Sequence, residues 1–285
     1  MARARSVDPE LIERLRRQVN DARHVDQRFG SVTVLEQLRG HINQIEELLT
    51  YSTAYGQRQA LASVLTDAST LGGWLALDRA AIGQAWDFHE TAKRAAREAE
   101  APILLAHATA QQAFILIDMG ELEAAIDQLA HARGIAEGVA PPLLRSWLAA
   151  AHGEGLAAHG RRDESLRAFD AANAFLPNDP VDPALPFLFL GGSHLDRWRG
   201  NALSRLGEPD AIQHLTDALE RLPDTFTRAR AGMLVDLAFA FAAAGDRDQA
   251  LSYARQAKRL ASQAKSDRQI RRLSGLILPT GVRSA

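Results

Sequence analysis

Apolar residues recur along this chain at helical spacing, in segments that pair across short turns. The stretch 106–132 shows the pattern most regularly. Its first segment has apolar residues at i, i+3, i+4 and i+7, and Gly120 then ends the helix because glycine accepts left-handed geometry. Its second segment continues with Ala125, Leu129 and Ala132 on one face. The pattern predicts two helices in a hairpin, held close together by small side chains.

The same hairpin is predicted five times. A small residue opens the second helix of each copy, at Ala85, Ala125, Ser165, Ala211 and Ala250, with spacings of 40, 40, 46 and 39 residues. A second small residue precedes each turn by seven positions, at Gly73, Ala113, Gly153, Gly200 and Ala238. Glycine occupies the turn in four copies, and Ala80 takes its place in the first.

This regular placement of small residues and turns, called the register below, is similar to that of the tetratricopeptide repeat, whose period is about 34 residues. It predicts an all-α fold, a right-handed α-solenoid of about six tetratricopeptide-like hairpins. Generic hairpins of HEAT type are the competing interpretation.

The pattern divides the chain into three parts. Residues 1–56 form a helical pair that packs on the array, residues 57–262 form the repeats, and residues 263–285 form a capping helix and tail. A segment with four prolines, 176–192, interrupts the repeats and is predicted to be an ordered linker. We favour a spacer over a lid for this linker, and a solvated cap for the basic last helix.

Composition narrows the class of protein. The 285 residues are 46% hydrophobic, carry a formal charge of −2 and include no cysteine. Disulfides, thiol catalysis and cysteine-ligated metals are therefore excluded, and no global charge draws the chain to nucleic acid or membrane. No secretory signal is visible and no apolar run approaches the ~18 residues that span a bilayer. A cytoplasmic location is expected, and a homodimer is compatible with the pattern.

Several phrases resemble the sensor region of actinobacterial transcriptional regulators, which join a lambda-repressor-type helix-turn-helix to a tetratricopeptide array. The phrases are DQRFG (26–30), WLALDRAAIGQAWDFHETAKRAAREA (74–99), FLFLGGSHLDRWRGNALSRLG (187–207) and DTFTRARAG (224–232). The DNA-binding part of those regulators has no counterpart in this sequence. The resemblance implies a signalling or regulatory role, without direct nucleic-acid binding by this chain.

The inward positions of the first helices define a candidate ligand groove. In such arrays the first helices line the concave face, and each copy places residues at i, i+3 and i+7 there. The candidate groove residues are Asp67, Thr70, Trp74, His107, Phe114, Trp147, Glu154, His194, Arg197, Asn201 and Phe239. This mixture of aromatic wall and polar groups is typical of a ligand pocket, although the aromatic residues could instead only pack between hairpins.

The leading functional hypothesis is a non-catalytic regulatory or sensor module. It would bind a peptide, a small molecule or a partner protein in the groove and respond by changing its curvature. The alternative is a biosynthetic-pathway enzyme or binding protein that uses His107, Glu154 and His194 for acid–base chemistry. A pure scaffold is a third possibility. The sequence predicts no cofactor and no metal site, because His89-Glu90 lacks the second histidine of the zincin motif.

Overall fold

The structure, a computed structural model, describes residues 7–29, 32–52, 54–191 and 194–279. The ends of both terminal segments, Gly30 of the phrase DQRFG and Gly192 of the linker lie outside these ranges. The described residues form thirteen helices and no strand. The helices are α1 (Pro9–Phe29), α2 (Val32–Tyr51), α3 (Tyr55–Asp78), α4 (Ile82–Glu98), α5 (Pro102–Met119), α6 (Leu122–Ala136), α7 (Pro142–Ala158), α8 (Arg162–Phe175), α9 (His194–Leu206), α10 (Ala211–Arg221), α11 (Thr227–Ala243), α12 (Arg247–Gln263) and α13 (Asp267–Ser274).

The five predicted hairpins are present as α3–α4, α5–α6, α7–α8, α9–α10 and α11–α12, and the all-α solenoid is confirmed. The small residues of the register lie where the two helices of a hairpin cross. A Cβ on Gly73 would come within 2.5 Å of the His89 ring, and one on Gly153 within 2.8 Å of Phe169. Each contact joins a small residue of the first helix to the residue four positions after the small residue of the second. The small residues of the register therefore mark the positions where the two helices of a hairpin approach most closely.

The turns within the hairpins share one backbone conformation. Gly120, Gly160, Gly207 and Gly245 have φ between +71° and +84°, the left-handed region that glycine accepts without strain. Ala80 holds the equivalent place in the first hairpin and has φ +54°, a left-handed backbone conformation that is unfavourable for a residue with a Cβ atom. The same turn is therefore used even where the sequence does not supply glycine.

The first helices of the hairpins form the inner layer of the solenoid. Helices α3, α5, α7, α9 and α11 each contact the next in this series, and the second helices lie outside them. Helix α1 packs on α3 and also on α11, while α13 packs on both α11 and α3. The first and last parts of the array are thus in contact, and the inner helices surround a central space.

The N-terminal pair shares its core with the array. Ile12, Leu15 and Val19 of α1 are buried in one cluster with Leu61 and Leu65 of α3. Helix α3 is long and apolar enough to cross a membrane by length and composition, and 78% of that window is buried inside the protein. The expectation that no segment has such a composition is therefore wrong for α3, whose burial is that of a core helix.

Two sequence interpretations need correction. The 176–192 linker was expected to be a spacer, but its Phe187 and Phe189 face the central space and form part of its wall. The last helix, within 263–285, was expected to be a solvated cap, but α13 spans Asp267–Ser274 and buries Arg268 and Gln269. Both segments enclose the centre of the solenoid because the array curves far enough for its ends to meet.

Candidate functional site

A central cavity of about 250 Å³, partly open to solvent, lies inside the ring of first helices. Its walls come from α1, α3, α5, α7, α9, α11 and α13 and from the linker before α9. No second helix of a hairpin contributes to it in the described part of the chain. The repeat architecture explains this arrangement, since first helices face the concave side of such arrays.

Ten of the eleven predicted groove residues line this one cavity: Asp67, Thr70, Trp74, His107, Phe114, Trp147, Glu154, His194, Arg197 and Asn201. The eleventh, Phe239, does not line it. It packs instead on the cluster of Leu234, Val235 and Ala257, where Leu273 of α13 also packs. The placement of Phe239 was wrong because α13 covers this part of α11.

Aromatic rings form a continuous wall along one side of the cavity. Trp147 lies edge-on to both His107 and Trp198, with ring centroids 4.9 and 5.5 Å apart, and Trp198 reaches Phe114 at 6.2 Å. Phe187 of the linker stacks on His107 at 4.4 Å. Three of the four tryptophans of the chain therefore face the same space. Edge-on and offset contacts of this kind fix ring positions as well as burying area.

Ion pairs between distant parts of the chain close the other side. Arg23 of α1 pairs with Asp67 of α3, and Arg272 of α13 lies 2.6 Å from a carboxylate oxygen of Asp236 on α11. Arg268 of α13 forms two hydrogen bonds with Asp118 at the end of α5. Each pair joins an inner helix of the repeats to α1 or α13, which lie outside the repeats. These contacts hold the ring of helices closed.

Arg228 forms the most buried of these contacts. Its guanidinium pairs with Asp26 of α1, and its Nε lies 3.2 Å from Oδ2 of Asp78 at the end of α3. The Ser266 hydroxyl donates to the other oxygen of Asp78 at 2.5 Å. Burial raises the pKa of Asp78 to about 6, although the Ser266 hydrogen bond acts to lower it. The first hairpin, the last hairpin and the turn before α13 meet at this point.

Two charged groups in the cavity differ from the rest. Arg197 and Glu154 make no hydrogen bond or ion pair among the described residues, and the Arg197 Nε is buried. Burial lowers the pKa of Arg197, while Glu154 and Asp236 nearby act to raise it. An arginine remains protonated under all ordinary conditions, so Arg197 brings a positive charge into the cavity, with no described carboxylate within ion-pair distance.

The remaining predicted polar residues are held by neighbours. The Thr70 hydroxyl donates to the carbonyl oxygen of Thr66 in its own helix. The Asn201 amide donates to Asp236 at 2.8 Å, and its oxygen accepts from Arg205 at 3.2 Å. Asn201 was predicted to line the groove, and it lies in the cavity wall with its side chain hydrogen-bonded to Asp236 and Arg205.

The arrangement needed for acid–base catalysis is not visible in the described residues. No hydrogen bond joins His107, Glu154 and His194, although all three line the cavity. Burial lowers the pKa of His107 to about 3 and that of His194 to about 4. Both imidazoles are therefore neutral near pH 7 and lack the pKa near the working pH that general acid–base catalysis favours.

The sequence analysis did not identify several further residues of the cavity wall. These are Arg23, Asp26, Gln111, Phe187, Phe189, Trp198, Arg205, Phe226, Arg228, Asp236, Arg268, Gln269 and Arg272. Gln111 and Arg205 could have been found, because each lies four residues after a predicted groove residue. Arg268 and Arg272 share one face of α13 by the same spacing. The α1 residues carry no such signal, since they belong to no repeat.

Comparisons with known proteins assign no family to this chain. No family model and no curated protein matches it. A crystal structure of TPR-like repeats of a kinesin light chain from Podospora anserina is similar to it, with 13% identity and a TM-score of 0.43 over 70% of this chain and 95% of that one. The tetratricopeptide-like description of this solenoid therefore rests on the register and contacts of its own hairpins.

Proposed function

We propose that this protein is a non-catalytic regulatory or sensor module that binds a small molecule in its central cavity. The observation that carries the proposal is the wall itself: every first helix contributes to one cavity that combines aromatic rings with a few charged groups. Cavities of this composition are the usual form of ligand sites. The sequence resemblance to regulator sensor regions agrees with this role and is independent of the cavity.

The size of the cavity favours a small ligand over an extended peptide or a folded partner. At about 250 Å³ it is slightly smaller than the ~300–1,000 Å³ typical of drug-sized ligands. The linker and α13 cover parts of the concave face where a long peptide would run. A ligand that contacts the inner helices of several repeats would alter how they pack, and the change would extend to both ends of the array. That is how binding would be signalled.

The test is a search for a bound ligand followed by a binding measurement. The intact protein is analysed by native mass spectrometry and then denatured, and released small molecules are identified. The identified molecule is titrated against the Trp fluorescence of unloaded protein, with Trp147→Ala as the cavity variant. Trp86, whose ring packs outside the cavity lining, gives the matched control Trp86→Phe.

We expect binding to weaken at least tenfold in Trp147→Ala and to be unchanged in Trp86→Phe. The proposal fails if the protein carries no small molecule and a chemically diverse small-molecule library leaves its thermal unfolding unchanged. It also fails if a ligand is found whose affinity is insensitive to Trp147→Ala, provided that circular dichroism shows the variant folded.

A further inference from the structure

We infer that the ligand is an organic anion, whose carboxylate or phosphate contacts Arg197 and whose apolar part packs on the aromatic wall. This inference rests on the proposed function and names the chemical class of its ligand. Its starting point is the difference between Arg197 and the other arginines around the cavity.

Four of those other arginines are neutralised by carboxylates, and Arg205, which makes no ion pair among the described residues, donates a hydrogen bond to the Asn201 oxygen. Arg23, Arg228, Arg268 and Arg272 each pair with an aspartate within ion-pair distance. Arg197 has no such carboxylate in the described part of the chain, and its buried Nε has no hydrogen-bond acceptor there. Arg197 as a whole is part-buried, but leaving its buried Nε–H donor without a partner costs stability, and native structures seldom retain such a group without a reason. An anionic ligand would supply that reason.

The surroundings of Arg197 fit an anion attached to an apolar body. The next residue, Trp198, belongs to the aromatic wall with Phe114 and Trp147. A planar guanidinium presents paired N–H groups that match the two oxygens of a carboxylate or phosphate. A molecule with its charge at Arg197 therefore places its apolar part against the wall without leaving either part unpartnered.

The charge of Glu154 provides a second, independent test of whether the ligand is an anion. Glu154 lines the same cavity, makes no ion pair in the described part of the chain, and is the carboxylate that acts most strongly to raise the pKa of Arg197. It attracts the guanidinium and repels an incoming anion. Removing its charge should therefore strengthen anion binding, whereas a cationic ligand would bind more weakly.

The experiment uses three probes that differ only in the terminal group: 3-phenylpropionate, 3-phenylpropanamide and 3-phenylpropan-1-amine. Each is titrated against the full chain at low salt and pH 7.5, with cavity Trp fluorescence and calorimetry as readouts. The variants are Arg197→Gln, Glu154→Gln and Arg199→Gln. Arg199 is the matched control because it lies on the same helix but points outward to Asp170.

We expect the carboxylate to bind at least tenfold more tightly than the amide or the amine. Arg197→Gln should abolish that preference, Glu154→Gln should increase it, and Arg199→Gln should leave it unchanged. Circular dichroism checks that each variant is folded, and Arg197→Gln should unfold at the same temperature as the parent or higher.

Two results would overturn the inference. If carboxylate and amide bind equally well and Arg197→Gln changes neither, the cavity binds ligands but not through an anion, and the proposed function stands. If no probe binds at millimolar concentration, the anionic class represented by these probes is rejected. The ligand search described above then decides the proposed function separately.

Discussion

The guanidinium of Arg268 pairs with both carboxylate oxygens of Asp118, at 2.6 and 2.8 Å, although 150 residues separate them in the chain. Their side chains are only 10% and 15% exposed. The guanidinium also lies over the ring of Trp74, 5.4 Å from its centroid. This contact fastens the last helix to the second repeat hairpin and places α13 across the cavity.

Breaking this pair should destabilise the closed ring. Arg268→Met leaves the Asp118 carboxylate part-buried without its cation, and removal of one partner from a fully buried pair costs about 3–5 kcal/mol. We expect a loss near the lower end of that range in urea unfolding, because both side chains keep some exposure. Arg271, which is exposed on the same helix, gives the control Arg271→Met, with an expected change within about 0.5 kcal/mol. Equal effects of the two substitutions would show that the Arg268 contact does not hold the ring.

The repeat register could be predicted from sequence because it is a nearest-neighbour property. Small residues such as Gly73 and Gly153 recur wherever two helices of one hairpin approach closely, and that requirement is met within about 20 residues of chain. The groove positions followed from the same register. Ten of them lie in the wall of one cavity, because the inner helices of successive hairpins face the same side.

The closure of the ring could not be predicted in this way. Small rotations between neighbouring hairpins add along the array, and their sum decides whether α1 and α13 reach α11 and α3. A periodic sequence pattern reports contacts between neighbouring helices and does not reveal the total rotation along the array. For this reason Phe239 was placed in the groove and α13 in solvent, and for the same reason the partners of Arg228 were not anticipated.

The contact between Gly73 and His89 gives a test of the register. A Cβ at residue 73 would lie 2.5 Å from the His89 ring, so Gly73→Ala should destabilise the protein by about 1–3 kcal/mol through overpacking. The matched control is Gly83→Ala on α4, where a Cβ meets nothing within 4 Å. That substitution should be neutral or stabilising by up to about 1 kcal/mol, since alanine favours helices over glycine.

A double-mutant cycle identifies the neighbour responsible. In a His89→Ala background the further cost of Gly73→Ala should largely disappear, because the ring that the new methyl group would meet is gone. Urea unfolding of the four proteins gives the coupling free energy. An unchanged cost of Gly73→Ala in that background would mean that the two helices do not cross at this pair.

Ala80 offers a stabilising substitution. It has φ +54°, where a Cβ costs about 1–2 kcal/mol, and the equivalent turns use glycine. Ala80→Gly should therefore raise the free energy of unfolding by about 0.5–1 kcal/mol, after allowance for the greater freedom of glycine in the unfolded chain. Gly120→Ala, at the equivalent turn with φ +84°, should lower it. Thermal and urea unfolding should rank the variants in that order, and the opposite order would contradict the shared turn geometry.

The buried imidazole of His107 should make the protein sensitive to acid. Burial lowers its pKa in the folded protein to about 3, against an ordinary value of 6.5. Between these values the unfolded chain binds a proton that the folded chain does not, so stability falls as the pH drops below about 6.5. The loss is at most about 1.4 kcal/mol per pH unit.

His107→Phe removes this contribution and keeps a ring against Phe187 and Trp147. Between pH 7 and pH 5 the variant should lose about 2 kcal/mol less stability than the parent. His131→Gln, at an exposed position, should follow the parent curve. The measurement is urea unfolding at closely spaced pH values, and parallel curves for parent and His107→Phe would contradict the burial of a neutral His107.

Arg197 should reveal a conflict between stability and binding. Arg197→Met replaces a charge without a partner among the described residues by an apolar side chain of similar length, so the unliganded protein should gain about 1–3 kcal/mol. Arg199→Met loses only the exposed ion pair with Asp170 and should change stability by less than about 1 kcal/mol. Thermal unfolding of the unliganded proteins measures both changes in stability.

If Arg197→Met instead destabilises the protein, the guanidinium is already satisfied within the fold, and a ligand is not needed to explain its position. A gain in stability accompanied by loss of anion binding would identify Arg197 as a residue kept for its ligand at a cost to the fold.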